Sequence, residues 1–373
     1  MLNACYTGPG QSPIDASAMD SQDLSGLSVV VPNLHWRYSG VTATNRMVAP
    51  RIAKLVRAAW LGSDAPDGIG RLTFGDLLRL RSRAQRGKPR IWHARRNNEM
   101  LVGLVLRGLG WPWKLVFTSA GQRHHSWITR FMIARMDAVI ATSQASASYL
   151  KRPATVVHHG VDTQVYAPPP DRVAAFAAAG LPGKYAIGCF GRVRAQKGTD
   201  LFVGAMCALL PKYPDFTAVV IGPVDDRAFA DRLEASVREA GLAERVRFLG
   251  ELPIVDLPLW YQRISIYAFT SRNEGFGLTL IEAMAAGAAL VAARAGAAEA
   301  VVVDGESGVL VPTGDARALA AALEPLMRAP ERAREMGRKA RARAIAEFSI
   351  DAEVERIAAV YRQVLATPGA KTQ

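Results

Sequence analysis

Short apolar runs alternate with helix-like segments along most of the chain, and this alternation constrains the fold more than any other sequence feature. Five runs in the first half are expected to be buried strands, at 28–34, 90–94, 114–119, 138–143 and 155–160. Six more follow the proline-rich stretch 167–170, at 185–191, 217–222, 246–250, 265–271, 289–293 and 307–312. Such runs separated by helices are typical of parallel sheets covered on both faces. The sequence therefore predicts an α/β protein with two doubly wound, Rossmann-like domains.

The proline-rich stretch separates the predicted domains. We expect a flexible leader over 1–27, an N-terminal domain over 28–170 and a C-terminal domain over 171–350; segment 351–373 is expected to form a helix that crosses back to the N-terminal domain, then a tail. A length of 373 residues suits two domains of about 150 residues each. Ligands of doubly wound sheets bind beyond the carboxyl ends of the strands, so the cleft between the domains is the expected site.

Positive charge is concentrated in the first half of the chain. Residues 1–180 contain 22 Lys and Arg against 10 Asp and Glu, a net charge of +12, whereas residues 181–373 contain 24 and 23, a net charge of +1. This asymmetry suggests an anionic partner for the N-terminal half, either nucleic acid, an anionic membrane or an acidic substrate. Nucleic acid is disfavoured, because the chain lacks a recognition motif and a basic stripe interleaved with stacking aromatics.

The sequence also bears on the compartment. The longest apolar stretches are interrupted by Arg107 and Glu282, so no segment reaches the roughly 18 to 20 apolar residues of a spanning helix. The N-terminus lacks the pattern of a secretory signal. Three cysteines, Cys5, Cys189 and Cys207, match neither metal-ligand nor redox spacing. We therefore expect a cytoplasmic protein with structural thiols.

Two motifs follow predicted strands of the C-terminal domain. In 271–287, Glu274 and two glycines precede a helix that is expected to begin near Leu278. The N-terminus of this helix is a candidate phosphate-binding site, and the flanking carboxylates are expected to bind sugar hydroxyls. In 190–198, Arg192 and Lys197 project from one loop and suit a diphosphate leaving group. The alternatives are a simple glycine turn with a surface Glu282, and two solvated cations in a surface loop.

Together these motifs resemble the nucleotide-sugar site of retaining GT-B glycosyltransferases of family 4, the glycosyl transferases group 1. The segments 158–166, 250–252, 296–315 and 348–361 also resemble that family, over nearly all of residues 28–366. Within it, segments 91–100, 114–123 and 187–206 resemble bacterial lipopolysaccharide core mannosyltransferases. The resemblance implies two domains facing each other across a cleft.

The resemblance also implies residue roles. Arg192 and Lys197, with Gly191, would hold the donor diphosphate, and Glu274 would bind the transferred sugar as the third catalytic residue. Glu282 would bind the ribose, and Gly40, in the loop after the first strand, would let the N-terminal domain close over the diphosphate. The remaining donor contacts would be made by the backbone of Gly250, Glu251, Gly275, Phe276, Gly277, Leu278 and Thr279. A His that is usual in the family is replaced here by 119–121.

Acceptor candidates lie in the basic N-terminal half. His93 and the four residues Arg95, Arg96, Asn97 and Asn98 follow a predicted strand and are expected to face the cleft, where the arginines would bind an acceptor carboxylate or phosphate. A solvated cationic loop is the alternative. His124 and His125 are candidates to replace the missing His, or form a solvated or lipid-facing pair.

A helical stripe is expected in segment 124–136. Its apolar members suit the protein core, but with the nearby arginines they also suit an anionic membrane surface; they are Trp127, Ile128, Phe131, Met132 and Met136.

The implied reaction transfers a mannosyl group from GDP-mannose, with retention, to a sugar of the lipopolysaccharide inner core, and Kdo on lipid A is the expected acceptor. We expect no metal and no cofactor, because two cations and a helix N-terminus neutralise the diphosphate. The expected partners are the nucleotide sugar, a lipid-linked anionic acceptor and the anionic cytoplasmic face of the inner membrane, without nucleic acid. The alternatives are a UDP- or ADP-hexose used on a different glycan or lipid acceptor, and an epimerase or phosphorylase of the same architecture.

Overall fold

The computed structural model describes residues 24, 26–35, 40–81 and 89–367. The predicted leader falls almost entirely outside the described residues, as do Cys5 and the last six residues. The chain divides into two compact units. The first contains the residues up to Thr118, His125–Ile140 and the residues from Val354 onward; the second contains Ser119–His124 and Ala141–Glu353.

The first sheet has seven strands in the order β3-β2-β1-β4-β5-β6-β7. Its strands are β1 Val29–Pro32, β2 Ala58–Leu61, β3 Gly70–Leu72, β4 Arg90–Ala94, β5 Trp113–Ser119, β6 Ala138–Ala141 and β7 Thr155–Val156. The helices between them are α1 Gly40–Leu55, α2 Phe74–Arg79, α3 Asn97–Gly108, α4 Trp127–Ala134 and α5 Gln144–Ser148. β1 pairs in parallel with both β2 and β4, so the strand order reverses between β1 and β4.

The second sheet has six parallel strands in the order β10-β9-β8-β11-β12-β13. They are β8 Tyr185–Phe190, β9 Phe216–Ile221, β10 Val246–Phe248, β11 Ile264–Phe269, β12 Ala289–Ala293 and β13 Val309–Val311. Helices α6 to α9 are Arg172–Ala177, Thr199–Leu209, Arg227–Glu239 and Leu257–Arg263. Helices α10 to α14 are Leu278–Ala285, Ala298–Val301, Ala316–Arg328, Pro330–Glu347 and Ile350–Ala366. The order reverses between β8 and β11, which marks the place where such sheets bind ligands.

Apolar side chains cover both faces of the second sheet. One cluster includes Phe202, Met206 and Leu323 from the helices α7 and α12. The other includes Tyr261, Leu280 and Phe348. Strands buried on both faces read as continuous apolar runs, which is why their positions were visible in the sequence. Among the described residues no helix is both long and apolar enough to cross a membrane.

The predicted fold class, two doubly wound α/β sheets, is confirmed. Two strands, β2 and β3, were not predicted, and the run at 155–160 contributes only Thr155–Val156 to the sheet. After that short strand the chain turns toward the second unit's core, where His158 and His159 pack edge-on against the Phe276 ring. The apolar character of this run therefore comes from core packing as well as from strand pairing.

Candidate active site

Two loops meet at the carboxyl edge of β8 and β11. The backbone N–H of Arg272 donates to the carbonyl of Gln196 at 2.8 Å, and the Thr270 hydroxyl donates to the carbonyl of Lys197 at 2.9 Å. Gly198 has φ +67°, and a Cβ there would lie 2.0 Å from the Thr270 carbonyl oxygen. Only glycine permits this approach, so Gly198 holds the two predicted motifs together, although the sequence had not singled it out.

Lys197 and Glu274, predicted separately, are brought into direct contact. The Lys197 ammonium contacts Oε2 of Glu274, and both side chains are about four-fifths buried. The same carboxylate accepts a hydrogen bond from the Ser271 hydroxyl at 3.3 Å and from the N–H of Gly275 at 3.2 Å. The carboxylate is therefore fixed at the strand end beside a cation, an arrangement suited to a ligand with both hydroxyls and negative charge.

Arg192 lies on the adjacent turn and is more exposed. Its Nη1 is 3.1 Å from Oδ1 of Asp225, and Arg194 reaches the other carboxylate oxygen at 3.2 Å. Because 57% of its side chain is exposed, the ion pair of Arg192 with Asp225 contributes little free energy. Arg192 can therefore exchange Asp225 for a ligand phosphate at little cost in stability. Asp225, in the loop after β9, was missed because an isolated Asp carries no sequence signal.

Two helices that begin at this edge lack side-chain caps. Helix α7 follows Gly198 and helix α10 follows Gly277, both with left-handed backbone, and neither glycine has a side chain that could cap its helix. Elsewhere in the second unit Asp171, Asp226 and Asp315 cap α6, α8 and α12. The amides of Leu278 and Thr279 at the start of α10 therefore receive no side-chain cap from the residue before them, and such an N-terminus favours an anion.

The segment 274–277 is shaped by two close approaches. Gly277 has φ +99°, and a Cβ there would lie 2.9 Å from the ring of Phe269. Gly296, with φ +63°, supports the segment from the loop after β12, because a Cβ there would lie 2.7 Å from the Phe276 carbonyl oxygen and 3.0 Å from Glu274 Cβ. The Phe276 carbonyl accepts the N–H of Ala297 at 2.9 Å. Segment 296–315 was quoted for its resemblance, but Gly296 itself was not predicted.

The backbone at the ends of β8, β9 and β10 is closely packed. Gly191 donates to the carbonyl of Ile221, and Gly222 donates to that of Gly250, both at 2.8 Å. A Cβ on Gly222 would lie 2.0 Å from the Gly191 carbonyl oxygen. Gly250 has φ +69° with open space around it, and Glu251 is exposed. The proposed backbone contacts to a nucleobase remain predictions.

Glu282 is held by tyrosines. Its Oε2 accepts the hydroxyl of Tyr261 at 2.7 Å, and Tyr166 is a second hydrogen-bond partner. Burial raises the pKa of Glu282, and the tyrosine hydrogen bonds lower it only in part. The carboxylate is thus more than a surface residue of α10, and its proposed contact with ribose stays a prediction.

In the first unit, His93 does not face a cleft, and that expectation was wrong. It lies inside β4, where Nδ1 is 2.6 Å from the Tyr361 hydroxyl and Nε2 is 2.7 Å from the Thr118 hydroxyl. Burial, and then the charge of Arg95, hold its pKa well below the usual value. The alternation of β4 puts every second residue on one face of the sheet, but both faces are covered here, so alternation did not reveal which side was open.

Arg96 is also committed to the fold. Its guanidinium donates to Asn33 and Thr42, both at 2.7 Å, and pairs with Glu99 at 3.2 Å. Glu99 in turn accepts the N–H groups of Arg95 and Arg96 at 2.7 and 3.1 Å, capping α3. The solvated loop expected as the alternative for Arg96 is therefore wrong, and its side chain serves mainly to neutralise Glu99.

Arg95 differs sharply from its neighbour. The residue is only 8% exposed, its Nε is buried without a partner, and no described residue accepts a hydrogen bond from its guanidinium or pairs a carboxylate with it. Its charge is felt by His93 and Tyr361. A buried cation without a counter-ion lowers the stability of the fold. Arg95 is therefore the acceptor candidate whose environment most favours the binding of an anion.

The other first-half candidates are dispersed. The Asn97 amide donates to Thr129 at 2.9 Å and that of Asn98 to the Leu34 carbonyl at 3.1 Å. His124 is exposed and stacks edge-on against Tyr149, whereas His125 is half-buried. Gly40 begins α1 instead of lying in a loop, which corrects its predicted setting.

The stripe expected on 124–136 is wrong as a single surface. Helix α4 ends at Ala134, and its two sides have different environments. Met132 and Met136 are buried, whereas Trp127, Ile128 and Phe131 are exposed. Successive helical residues turn by about 100°, so the three exposed residues share one side of α4, whereas Met136 lies beyond the end of the helix. Core packing thus explains only the methionines.

Two further features lie away from these loops. A groove of about 920 Å³ opens beside Tyr185, Ser265 and Gly287, at the amino ends of the second sheet. Its deepest arginines, Arg172 and Arg341, already donate to backbone carbonyls. Among the described residues no group of three His, Cys, Asp or Glu side chains is placed to hold a metal ion.

Comparison with known proteins identifies the family. The family described as glycosyl transferases group 1 matches residues 171–343. A lipopolysaccharide core biosynthesis mannosyltransferase of Rhizobium leguminosarum bv. viciae, LpcC, is 47% identical over 92% of this chain and 98% of its own length. The chain belongs to the glycosyl transferases group 1. The expectation of a glycosyltransferase enzyme is therefore confirmed.

Solved structures agree with this assignment. The C-terminal domain of a glycosyl transferase group 1 protein (LpcC) from Francisella tularensis is 38% identical, with a TM-score of 0.50, and covers 51% of this chain and all of that domain. HepE of Anabaena, solved with UDP and glucose, has a TM-score of 0.74 at 21% identity and covers 90% of this chain and 100% of its own. The latter likeness concerns the fold, and the predicted GT-B class is confirmed.

Proposed function

We propose that this glycosyltransferase moves a mannosyl group from GDP-mannose, with retention, to a sugar of the lipopolysaccharide inner core, specifically Kdo on lipid A. The observation that carries the proposal is the 47% identity to a lipopolysaccharide core mannosyltransferase over nearly the full length of both chains. Identity of this extent includes the basic first half, which is where acceptor specificity is expected. The proposal places the enzyme in the retaining family 4.

The donor is supported by the paired loops of the second unit. Lys197 and Arg192 are the cations for the diphosphate, and the uncapped N-terminus of α10 adds backbone N–H donors for the same charge. Glu274, fixed by Ser271 and by the N–H of Gly275, accepts hydroxyls of the mannosyl group. Donor binding replaces the Lys197–Glu274 contact by one ligand that satisfies both side chains.

Transfer with retention then proceeds without a protein nucleophile. The bond between the anomeric carbon and the diphosphate oxygen breaks, and the acceptor hydroxyl attacks from the same side. The departing oxygen takes the proton of that hydroxyl, while Lys197 and Arg192 stabilise its charge. Catalysis of this kind rests on positioning and preorganised electrostatics, and it asks for neither a metal nor a cofactor.

The acceptor is supported by Arg95. Kdo carries a carboxylate, which a guanidinium binds through two parallel hydrogen bonds. Arg95 is buried without a counter-ion among the described residues, whereas Arg96 is already paired with Glu99. We therefore assign recognition of the acceptor carboxylate to Arg95. Because the acceptor is anchored in lipid, the enzyme works as a peripheral protein on the cytoplasmic face of the inner membrane.

A donor screen tests the proposal. The full-length enzyme is incubated with lipid A bearing Kdo and with GDP-mannose, a UDP-hexose or an ADP-hexose, and the product is examined by mass spectrometry and NMR. Transfer from GDP-mannose with an α-linked product is expected. Transfer from the UDP- or ADP-sugar alone would favour the alternative donor, and a β-linked product would overturn retention.

A modified acceptor tests the role of Arg95. Conversion of the Kdo carboxylate to its methyl ester removes the charge that Arg95 is proposed to bind. The wild-type enzyme should lose at least about tenfold in kcat/KM on the ester, whereas Arg95→Ala should use both acceptors equally poorly. Equal discrimination by both proteins would contradict this role.

A further inference from the structure

One face of the first unit exposes large apolar side chains on three consecutive helices. They recur at helical spacing, with two on α2, three on or directly after α3 and three on α4. We call them the apolar face: Phe74, Leu78, Leu101, Val105, Leu109, Trp127, Ile128 and Phe131. Trp127 is the most exposed, at 70%. Side chains of this size rarely gather on the surface of a soluble domain without a partner.

The topology of the first sheet brings these helices to the same side. From β3 the chain crosses to β4, then moves on to β5 and β6 in the same direction across the sheet. Parallel crossovers are right-handed, so the connections made by α2, α3 and α4 cover one face. Contacts agree, because Trp111 donates to the Leu77 carbonyl at 2.9 Å and Asn97 to Thr129 at 2.9 Å.

The second unit provides a comparison. Its mainly exposed large apolar side chains are aliphatic, among them Val165, Val255 and Ile345. All Phe and Trp side chains that are mainly exposed among the described residues belong to the apolar face. Aromatic side chains prefer an interface that is apolar on one side and wet on the other.

The charges around the apolar face are positive. Arg79, Arg130 and Arg135 are exposed on or directly after α2 and α4, and Arg135 lies over the Phe131 ring at 3.3 Å. Of these, Arg79 pairs with Asp76 at 3.3 Å. The acidic residues of the same helices, Asp76 and Glu99, are buried in helix caps. Asp137 is paired with Arg107 at 3.0 Å. The rim therefore attracts an anionic surface and repels a second copy of itself.

We infer that the apolar face docks onto an anionic lipid bilayer, with Trp127, Ile128 and Phe131 entering the interface and the arginines facing lipid phosphates. This inference rests on the proposed function only for its biological setting, since bilayer binding is measured without donor or acceptor. Burial of apolar side chains and attraction of each cation to the surface add to the binding free energy.

Vesicle flotation tests the inference on the full-length protein. Wild type should bind vesicles of phosphatidylcholine with phosphatidylglycerol and bind pure phosphatidylcholine poorly, and binding should fall with added salt. Ile128→Ser with Phe131→Ser should weaken partition at least about tenfold. Val165→Ser with Ile345→Ser, at nearly equal exposure in the second unit, should leave it unchanged. Equal loss in both double variants, or no loss in the first, would overturn the inference.

A depth measurement separates the bilayer from another partner. Vesicles with brominated acyl chains should quench tryptophan fluorescence in wild type, and Trp127→Phe should remove most of that quenching while still binding. Quenching that persists in Trp127→Phe would place contact elsewhere. A wild-type dimer in analytical ultracentrifugation, dissociated by Ile128→Ser with Phe131→Ser, would instead assign the face to a second copy.

Failure of this inference is distinguishable from failure of the proposed function. The Ile128→Ser, Phe131→Ser enzyme should keep wild-type kcat/KM on a deacylated, water-soluble Kdo acceptor and lose activity on the same acceptor embedded in anionic vesicles. Equal activity on both acceptors would contradict docking while leaving the transferase intact. An absence of transfer by wild type to either acceptor would contradict the proposed function while vesicle binding could still be measured.

Discussion

The two units differ in how the cations of their candidate sites are paired. At the carboxyl edge of the second sheet each cation has a carboxylate at hand, with Lys197 on Glu274, Arg192 on Asp225 and Arg272 on Asp200. In the first unit Arg95 is buried without such a partner, and Arg130 and Arg135 beside the apolar face are exposed, although Arg79 pairs with Asp76 and Arg96 with Glu99. The net charges of the two halves of the sequence, +12 and +1, follow the same division.

Under the proposed function, this difference describes how each unit receives its ligand. Paired charges keep the second unit's loops in a defined geometry without donor, and the donor has only to exchange partners within them. Unpaired charges in the first unit cost stability, and an anion supplied from outside relieves that cost. The candidate site of the second unit therefore has cations that are already paired with carboxylates, whereas that of the first unit has a buried arginine without a counter-ion.

The largest expected effect concerns the paired cations. Lys197→Ala removes the ammonium proposed to stabilise the leaving diphosphate, so kcat/KM for transfer should fall by about 10² to 10³. The melting temperature should fall only slightly, because Glu274 keeps its hydrogen bonds from the Ser271 hydroxyl and the N–H of Gly275. Lys212→Ala, which removes an exposed lysine paired with Glu324 at 3.5 Å, is the matched control and should retain full activity. Full activity of Lys197→Ala would contradict the proposed role of its ammonium in stabilising the leaving diphosphate.

The two neighbouring arginines should respond in opposite ways. Arg96→Ala leaves Glu99 buried without its counter-charge, so the free energy of unfolding should fall by about 3 kcal/mol. Arg95→Ala removes an unpaired buried cation, so the free energy of unfolding should stay equal or rise, while transfer to the Kdo acceptor falls. Urea unfolding of both variants measures the contrast. A larger loss of stability in Arg95→Ala than in Arg96→Ala would show that Arg95 is structural.

Gly296→Ala should disturb the segment 274–277, which Gly296 supports from the loop after β12. The added Cβ meets the Phe276 carbonyl and Glu274, and the left-handed backbone adds strain, so we expect a loss of about 2 kcal/mol in stability and a higher KM for the donor. Gly305→Ala shares a positive φ, +77°, but has open space around it. It should show the backbone cost without the rise in KM. An equal rise in KM in both variants would remove Gly296 from the site.

The smallest effect is a pH dependence of the first unit. Because the pKa of His93 is lowered in the folded state, the unfolded state binds its proton more readily, and stability should fall as pH drops below about 6.5. The loss between pH 7.5 and 5 should be about 1 to 2 kcal/mol. Glu99 and Glu282, whose pKa values are raised, act in the opposite direction at lower pH. Urea unfolding of His93→Asn should show a flatter dependence; an unchanged slope would exclude His93 as its source.

The sequence predicted the second unit better than the first, for a physical reason. The strand at 289–293 was predicted because its apolar residues form one uninterrupted run. The start of α10 at Leu278 was predicted because a carboxylate and two glycines directly precede it. The short strand Ala58–Leu61 was missed, since four apolar residues give no periodicity. Element boundaries in the first unit also depend on pairing partners far away in the chain, which a local pattern does not contain.

The candidate site was predictable in its residues but only partly in its geometry. The two motifs with Arg192, Lys197 and Glu274 predict a donor site, which stays a prediction, and the structure brings Lys197 and Glu274 together. The sequence could not show that Arg96 forms a salt bridge with Glu99 while Arg95 has no carboxylate partner, because adjacent arginines look alike in a sequence. Gly198 and Gly296 were missed for a similar reason, since their role is defined by which backbone approaches them.

Donor binding tests the division between the units most directly. GDP-mannose is titrated calorimetrically into the full-length wild type, Lys197→Ala and Arg95→Ala. Lys197→Ala should weaken donor binding at least about tenfold, while Arg95→Ala should stay within about twofold of wild type despite its loss of transfer. Donor affinity lowered equally by Arg95→Ala, or no binding of GDP-mannose by the wild type, would contradict it.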